Sequence, residues 1–139
     1  MKLLIARVAV DDVLPVRQAV LWPDQTLAFS RVADDADGLH YAALHDGLIV
    51  GVASLFVRDG TARLRKFAML PAWQGRGVGT SLLDRVLLEA SHRDCVYFWC
   101  DARRDAVGFY RRFGLREQGD AWEREGVLFV RMGRELVAS

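Results

Sequence analysis

Phe67-Ala68-Met69-Leu70-Pro71-Ala72-Trp73-Gln74-Gly75-Arg76-Gly77-Val78-Gly79-Thr80 is the stretch on which the fold turns. An extended segment ends at Pro71, three glycines follow at alternate positions, and a helical apolar period begins at Val78. Without Cβ atoms such a loop turns several backbone N–H groups one way and lets a ligand approach. A helix opening directly behind it adds unpaired amides and the positive end of a dipole. The combination suits a phosphate or pyrophosphate, and Arg76 stands beside it as a charged clamp. The familiar nucleotide loops do not fit. A P-loop needs lysine after its glycines, and the dinucleotide fingerprint is G-x-G-x-x-G early in a βαβ unit, whereas this spacing is G-x-G-x-G in mid-chain.

Working outward, the segment is preceded by strands at about 39–45, 48–57 and 61–70, joined at His45-Asp46-Gly47-Leu48 and Arg58-Asp59-Gly60-Thr61. Asp-Gly at the centre of a two-residue connection predicts a hairpin, since both residues tolerate the positive φ of a type I′ turn. Ahead of this meander, residues 2–9 read as a strand, and Asp11-Asp12 open a helix that runs to Leu21 and stops at Trp22-Pro23-Asp24. Residues 30–38 read as a loop. Behind the glycines, Val78, Leu82, Leu83, Val86, Leu87 and Ala90 form one helical stripe. Cys95 to Cys100 reads as a strand. Residues 103–113 read as a helix with Ala106, Phe109 or Tyr110, and Phe113 inward, stopped by Gly114. Leu115–Trp122 and Val127–Leu136 close the chain as a hairpin around Glu123-Arg124-Glu125-Gly126. The order is β-α-βββ-α-β-α-ββ: an α/β (α+β) domain spanning 1–139, with a mixed, mostly antiparallel sheet of about seven strands flanked by helices.

Composition narrows the partners. The 139 residues carry 19 basic and 18 acidic side chains, a net of +1, so nothing in the overall charge calls for nucleic acid or an anionic membrane. No apolar run approaches a membrane span, and Met1 to Arg7 is too short for a signal sequence. Cys95 and Cys100 lie five apart in one apolar run, so on a strand they face opposite ways and do not pair. Unpaired thiols suit a reducing compartment, and a cytoplasmic location is expected. No spacing suggests a metal site.

Gln74-Gly75-Arg76-Gly77-Val78-Gly79 resembles the Q/R-x-x-G-x-G/A signature of the GNAT superfamily of N-acetyltransferases, and the element order resembles that family's core over nearly the whole chain. The resemblance implies an acetyl-CoA cosubstrate lying where the fourth and fifth strands splay apart. Backbone groups of Phe67, Ala68 and Met69 would hold the pantetheine arm, and the amides of Gly75, Gly77, Val78, Gly79 and Thr80 the pyrophosphate. Asp105-Ala106-Val107-Gly108-Phe109-Tyr110-Arg111-Arg112-Phe113-Gly114-Leu115 is similar to the family's A-x-x-F-Y-x-x-x-G-F segment, with leucine in the last place. That likeness makes Tyr110 the candidate acid for the departing thiolate; the alternative is a buried tyrosine with its hydroxyl tied to backbone.

The implied activity is transfer of an acetyl or short acyl group to a primary amine, on a small molecule or a peptide, by direct attack. The alternative is a non-catalytic acyl-CoA-binding module. Some relatives carry a glutamate on the fourth strand as base; Thr61-Ala62-Arg63-Leu64-Arg65-Lys66 offers none. His40, Tyr41 and Asp101 are left as relay candidates, His40 read as a strand residue near an edge and Asp101 as the cap of the helix near Arg103. Arg17, Trp22, Pro23, Asp24 and Gln25 fall where acceptor pockets are shaped, and Arg63 with Arg65 on one strand face suggest an acceptor bearing a carboxylate or phosphate. The last hairpin, apolar on both faces, suits either a homodimer contact or a central place in the sheet.

Overall fold

The structure, a computed structural model, describes residues 2–137, so Met1, Ala138 and Ser139 at the ends of the expected domain lie outside it. The strands are β1 (Leu4–Val8), β2 (Leu39–His45), β3 (Leu48–Arg58), β4 (Thr61–Met69), β5 (Tyr97–Arg103), β6 (Arg116–Arg124) and β7 (Val127–Glu135). The helices are α1 (Val10–Leu21), α2 (Val78–His92) and α3 (Val107–Arg111). The sheet has seven strands in the order β1-β2-β3-β4-β5-β7-β6, which is the expected mixed α/β architecture. The expected hairpin turns are in place: Asp46-Gly47, Asp59-Gly60 and Glu125-Gly126 all have positive φ at both central residues. Among the described residues no helix is long and apolar enough to cross a membrane.

The chain divides into two compact units. The first comprises residues up to Phe56 together with Arg65–Glu89. Its core joins Val13 and Val16 of α1 to Val52 of β3 and Ala68 of β4. The helix α2 is seated on β3 at Gly51, where an added Cβ would lie 3.0 Å from Val78 Cγ1 and 3.1 Å from Leu82 Cδ1. A side chain at Gly51 would push these neighbours back by a few tenths of an ångström. The second unit comprises Val57–Leu64 and the residues from Ala90 onward. There Thr61–Leu64 pair in parallel with Tyr97–Cys100, and β7 pairs antiparallel with both β5 and β6. The last hairpin therefore puts β7 inside the sheet, while β6 is exposed along its length.

Three expectations shift. The strand expected at Cys95 begins at Tyr97 and runs on to Arg103, so Cys95 precedes it and Asp101 is a strand residue, not a helix cap. The helix expected at 103–113 becomes a 3-10 turn over Arg104–Ala106 and a short α-helix over Val107–Arg111. The region read as a loop, 30–38, holds a 3-10 turn at Asp35–Asp37, and another, Leu27–Ser30, ends where it begins.

Those turns are held by a buried polar network in the first unit. Arg17, fully buried, donates from Nη1 to the Ser30 carbonyl at 3.0 Å and to Asp35 Oδ2 at 2.9 Å. Its Nη2 donates to Asp35 Oδ1 at 3.0 Å and to Ser54 Oγ at 2.9 Å. His40 continues the chain, with Nδ1 2.7 Å from Ser54 Oγ and Nε2 2.8 Å from the Asp35 carbonyl oxygen. Because β2 lies between β1 and β3, His40 is an interior, buried residue and not an edge one. Burial alone would raise the Asp35 carboxyl, yet hydrogen bonds from Arg17 and the Val32 amide, with the Arg17 charge, hold it below its ordinary value of 3.8.

Breaking a buried pair leaves an uncompensated charge, so Arg17→Met is expected to lower stability by about 3–5 kcal/mol in urea unfolding. The folded carboxyl titrates below its ordinary 3.8, so its contribution is complete above that value and is lost as pH falls through the depressed one. Urea midpoints of the wild type should fall through that acid range, and Asp35→Asn should remove this part of the slope.

Candidate active site

The glycine-rich turn spans residues 74–77, between a 3-10 turn at Pro71–Trp73 and the start of α2. Gly75 (φ 72°) and Gly77 (φ 86°) are left-handed, and a Cβ on either would meet nothing within 4 Å. The glycines are therefore required by backbone conformation, not by crowding, and the loop is open to a ligand. Ser81 N–H to the Gly77 carbonyl, at 3.1 Å, is the helix-entry bond, so the amides of Val78, Gly79 and Thr80 precede it. Gln74 Nε2 donates to the Met69 carbonyl at 3.1 Å, tying the loop to the end of β4. Arg76 stacks on Trp73 with its Cζ 4.4 Å from the ring centroid, and Trp73 in turn contacts His45 at 4.9 Å between centroids. Arg76 is exposed, with its guanidinium held by the Trp73 ring and by Nη1 donating to the Ala72 carbonyl at 3.5 Å. Phe67, Ala68 and Met69 close β4 just beyond Lys66, which is left-handed at φ 55°, a kink inside the strand.

In the second unit, Tyr110 is buried on α3 and its hydroxyl meets Cys100 of β5. Burial, then the neighbouring thiol, push the phenol well above its ordinary 10.0, so it keeps its proton. Burial, then the charge of Asp101, push the Cys100 thiol up to about 12. Cys95 is also buried and raised, first by burial. Both cysteines are free, and neither environment favours a thiolate.

The relay candidates are all engaged. His40 belongs to the Arg17–Ser54–Asp35 network. Tyr41 donates to Glu89 Oε1 at 2.9 Å, and burial with that carboxylate push it up to about 12. Asp101 accepts from Arg63 Nη2 at 3.1 Å and from Arg131 Nε at 2.9 Å. Of the residues expected to shape an acceptor pocket, Arg17 is wholly buried in its network, while Trp22 packs edge-on against Phe29 with centroids 5.5 Å apart. Arg63 and Arg65 do not act as a pair: Arg63 stacks on Trp99, and Arg65 lies over Phe56. Trp99 and Arg131 were not singled out by sequence. Their meeting depends on the β5–β7 register, Asp101↔Arg131 and Trp99↔Gly133, for which short-range pattern carries no signal.

A family model described as an acetyltransferase (GNAT) domain matches residues 19–136. The chain is 25% identical over 129 residues to the uncharacterized N-acetyltransferase YitI of Bacillus subtilis (strain 168), covering 86% of this chain and 87% of that protein. Its fold is similar to the ribosomal-protein-S18-alanine N-acetyltransferase from Escherichia coli, with TM-score 0.81 and 17% identity over 99% of this chain and 96% of the other. It is also similar to a GNAT family acetyltransferase from Elizabethkingia anophelis with acetyl-CoA bound, with TM-score 0.75 and 18% identity over 96% and 98%.

With both thiols buried and raised, iodoacetamide at mildly alkaline pH should leave the native protein unlabelled and modify both cysteines in urea. Mass spectrometry reads the result directly, and rapid native labelling at Cys100 would contradict the packing described.

Proposed function

The chain belongs to the GNAT acetyltransferase family, and from that premise we propose that it transfers an acetyl or other short acyl group from acetyl-CoA to a primary amine by direct attack. The observation that carries the reading is the open loop at Gly75 and Gly77 running into α2. The amides of Gly75, Gly77, Val78, Gly79 and Thr80 bind the pyrophosphate, with Arg76 and the α2 dipole adding positive charge. Gln74 holds the loop, and the backbone of Phe67, Ala68 and Met69 takes the pantetheine arm. The relative crystallised with acetyl-CoA supports the choice of donor.

In the reaction the neutral amine attacks the thioester carbonyl, the C–N bond forms, and the C–S bond breaks as the tetrahedral intermediate collapses. The amine proton leaves to solvent, because His40, Tyr41 and Asp101 are each committed elsewhere. Tyr110 gives its phenolic proton to the departing thiolate. Tyr110 stands protonated at neutral pH, the form the step requires, and the phenolate it leaves recovers its proton from solvent. Direct transfer is supported further by two cysteines that are poor nucleophiles.

Saturating acetyl-CoA, at about a hundred times Kd, should stabilise the fold by roughly 2.7 kcal/mol in a thermal melt, with ATP and NAD inert. Gly77→Val forces a branched side chain into a left-handed site and should weaken that shift by about tenfold in Kd. Absence of any shift with acetyl-CoA would remove the reading.

Tyr110→Phe should keep the thermal shift and lower kcat by about 10²-fold. The acid must be protonated to act, and its value lies well above 10.0, so no alkaline decline due to Tyr110 is expected below that pH. Retained binding with no CoA release from any amine would favour the acyl-CoA-binding module instead.

A further inference from the structure

On the face of β5 opposite Cys100, the second unit carries a cluster for which direct acyl transfer alone has no use. Trp99 lies between two guanidiniums, with Arg63 Cζ 4.4 Å and Arg131 Cζ 4.2 Å from its ring centroid. Among the described residues Asp101 is the acid that pairs with them, taking Arg63 Nη2 at 3.1 Å and Arg131 through Nε at 2.9 Å and Nη2 at 3.5 Å. Two cations share one carboxylate, so the cluster keeps a positive charge. It also keeps unused donors, since two guanidiniums offer several more N–H groups than one carboxylate takes up. One of them, Arg63 Nε, is buried without a hydrogen-bond partner among the described residues. Surplus positive charge together with an open donor at a solvent-reachable cluster suits a bound anion.

The cluster is also accessible and rigid. Arg131 is half exposed, with 49% of its side chain open to solvent, and Arg63 is 32% exposed. Stacking on indole fixes each guanidinium plane while leaving N–H edges available. Beside it Tyr97 lies across Gly133, where a Cβ would come within 2.7 Å of the Tyr97 Cζ, and the tyrosine hydroxyl meets Gln118 of β6. A side chain in place of Gly133 would displace the Tyr97 ring.

The geometry points to an oxyanion-recognition site formed by Arg63, Trp99 and Arg131, which selects as acceptor a primary amine that also carries a carboxylate or phosphate. This rests on the transferase reading for what becomes of the amine, while recognition of the oxyanion stands on the cluster itself. Planar guanidinium edges held by an aromatic ring match the oxygens of either group. The same surplus positive charge disfavours polyamines, whose additional ammonium groups would be repelled.

The test compares matched amines, β-alanine and O-phosphoethanolamine against propylamine and ethanolamine, by CoA release at saturating acetyl-CoA. The oxyanion member of at least one pair should have kcat/KM about tenfold higher, and Arg131→Gln and Arg63→Gln should each remove most of that preference through KM. The preferred pair tells carboxylate from phosphate. In parallel, the Trp99 indole N–H resonance, assigned with Trp99→Phe, is followed by NMR in the presence of CoA during titration with the same four amines. A saturable displacement by the oxyanion amines only, lost in Arg131→Gln, supports the site. If that displacement occurs but no amine releases CoA, the transferase reading fails and the oxyanion site stands. An unmoved Trp99 resonance, or a preference that survives both arginine variants, overturns the site.

Discussion

The close seat at Gly51 is the contact on which the first unit depends. With no side chain there, Val78 and Leu82 settle onto β3, and the first turn of α2 is anchored where β4 has just ended. The chain must then reverse from strand to helix within a few residues. Gly75 and Gly77 make that possible by taking left-handed conformations that cost an L side chain strain. The amides uncovered by this turn are a consequence of the packing, and so is their aim, because a helix pressed on a sheet does not swivel. Gly51 sets the packing, and Gly75 with Gly77 sets the turn that uncovers the amides.

A second constraint holds the segment between α1 and β2. Short 3-10 turns bury little apolar surface, so their place is fixed by polar bonds instead: Arg17 reaches Ser30, Asp35 and Ser54 at once, and His40 closes the circuit back to Asp35. Such a network has value only when nearly complete, since each missing partner leaves a desolvated group. Arg17 Nε and Ser30 Oγ are the two members without a partner among the described residues. The segment is thus specified by direction-dependent bonds, whereas the strands around it are specified by burial.

This difference explains what was legible in the sequence. The three Asp-Gly or Glu-Gly turns, the stripe from Val78 to Ala90 and the G-x-G-x-G loop are local patterns, and each sits where it was read. Arg17 reads as a pocket residue because nothing within a few positions reveals a carboxylate 18 residues away. Asp101 reads as a helix cap because aspartate before a helical pattern commonly has that local meaning. The strand instead continues to Arg103, drawn out by its pairing with β7 as far as Phe129. Tyr110 was identified from its motif, but its sulfur partner depends on how α3 lies over β5, which periodicity does not encode.

The reassignment of Asp101 changes the chemistry available to the second unit. A helix-capping aspartate would be spent on backbone amides. A strand aspartate facing Arg63 and Arg131 sets how much positive charge remains beside Trp99. On one face of β5, then, Cys100 and Tyr110 make a dry sulfur–hydroxyl contact in which neither group ionises readily. On the other, Trp99 and Asp101 organise charge at a half-open surface. Strand alternation alone separates these two environments by a single residue. Extending β5 to Arg103 brings Asp101 into that alternation and onto the charged face.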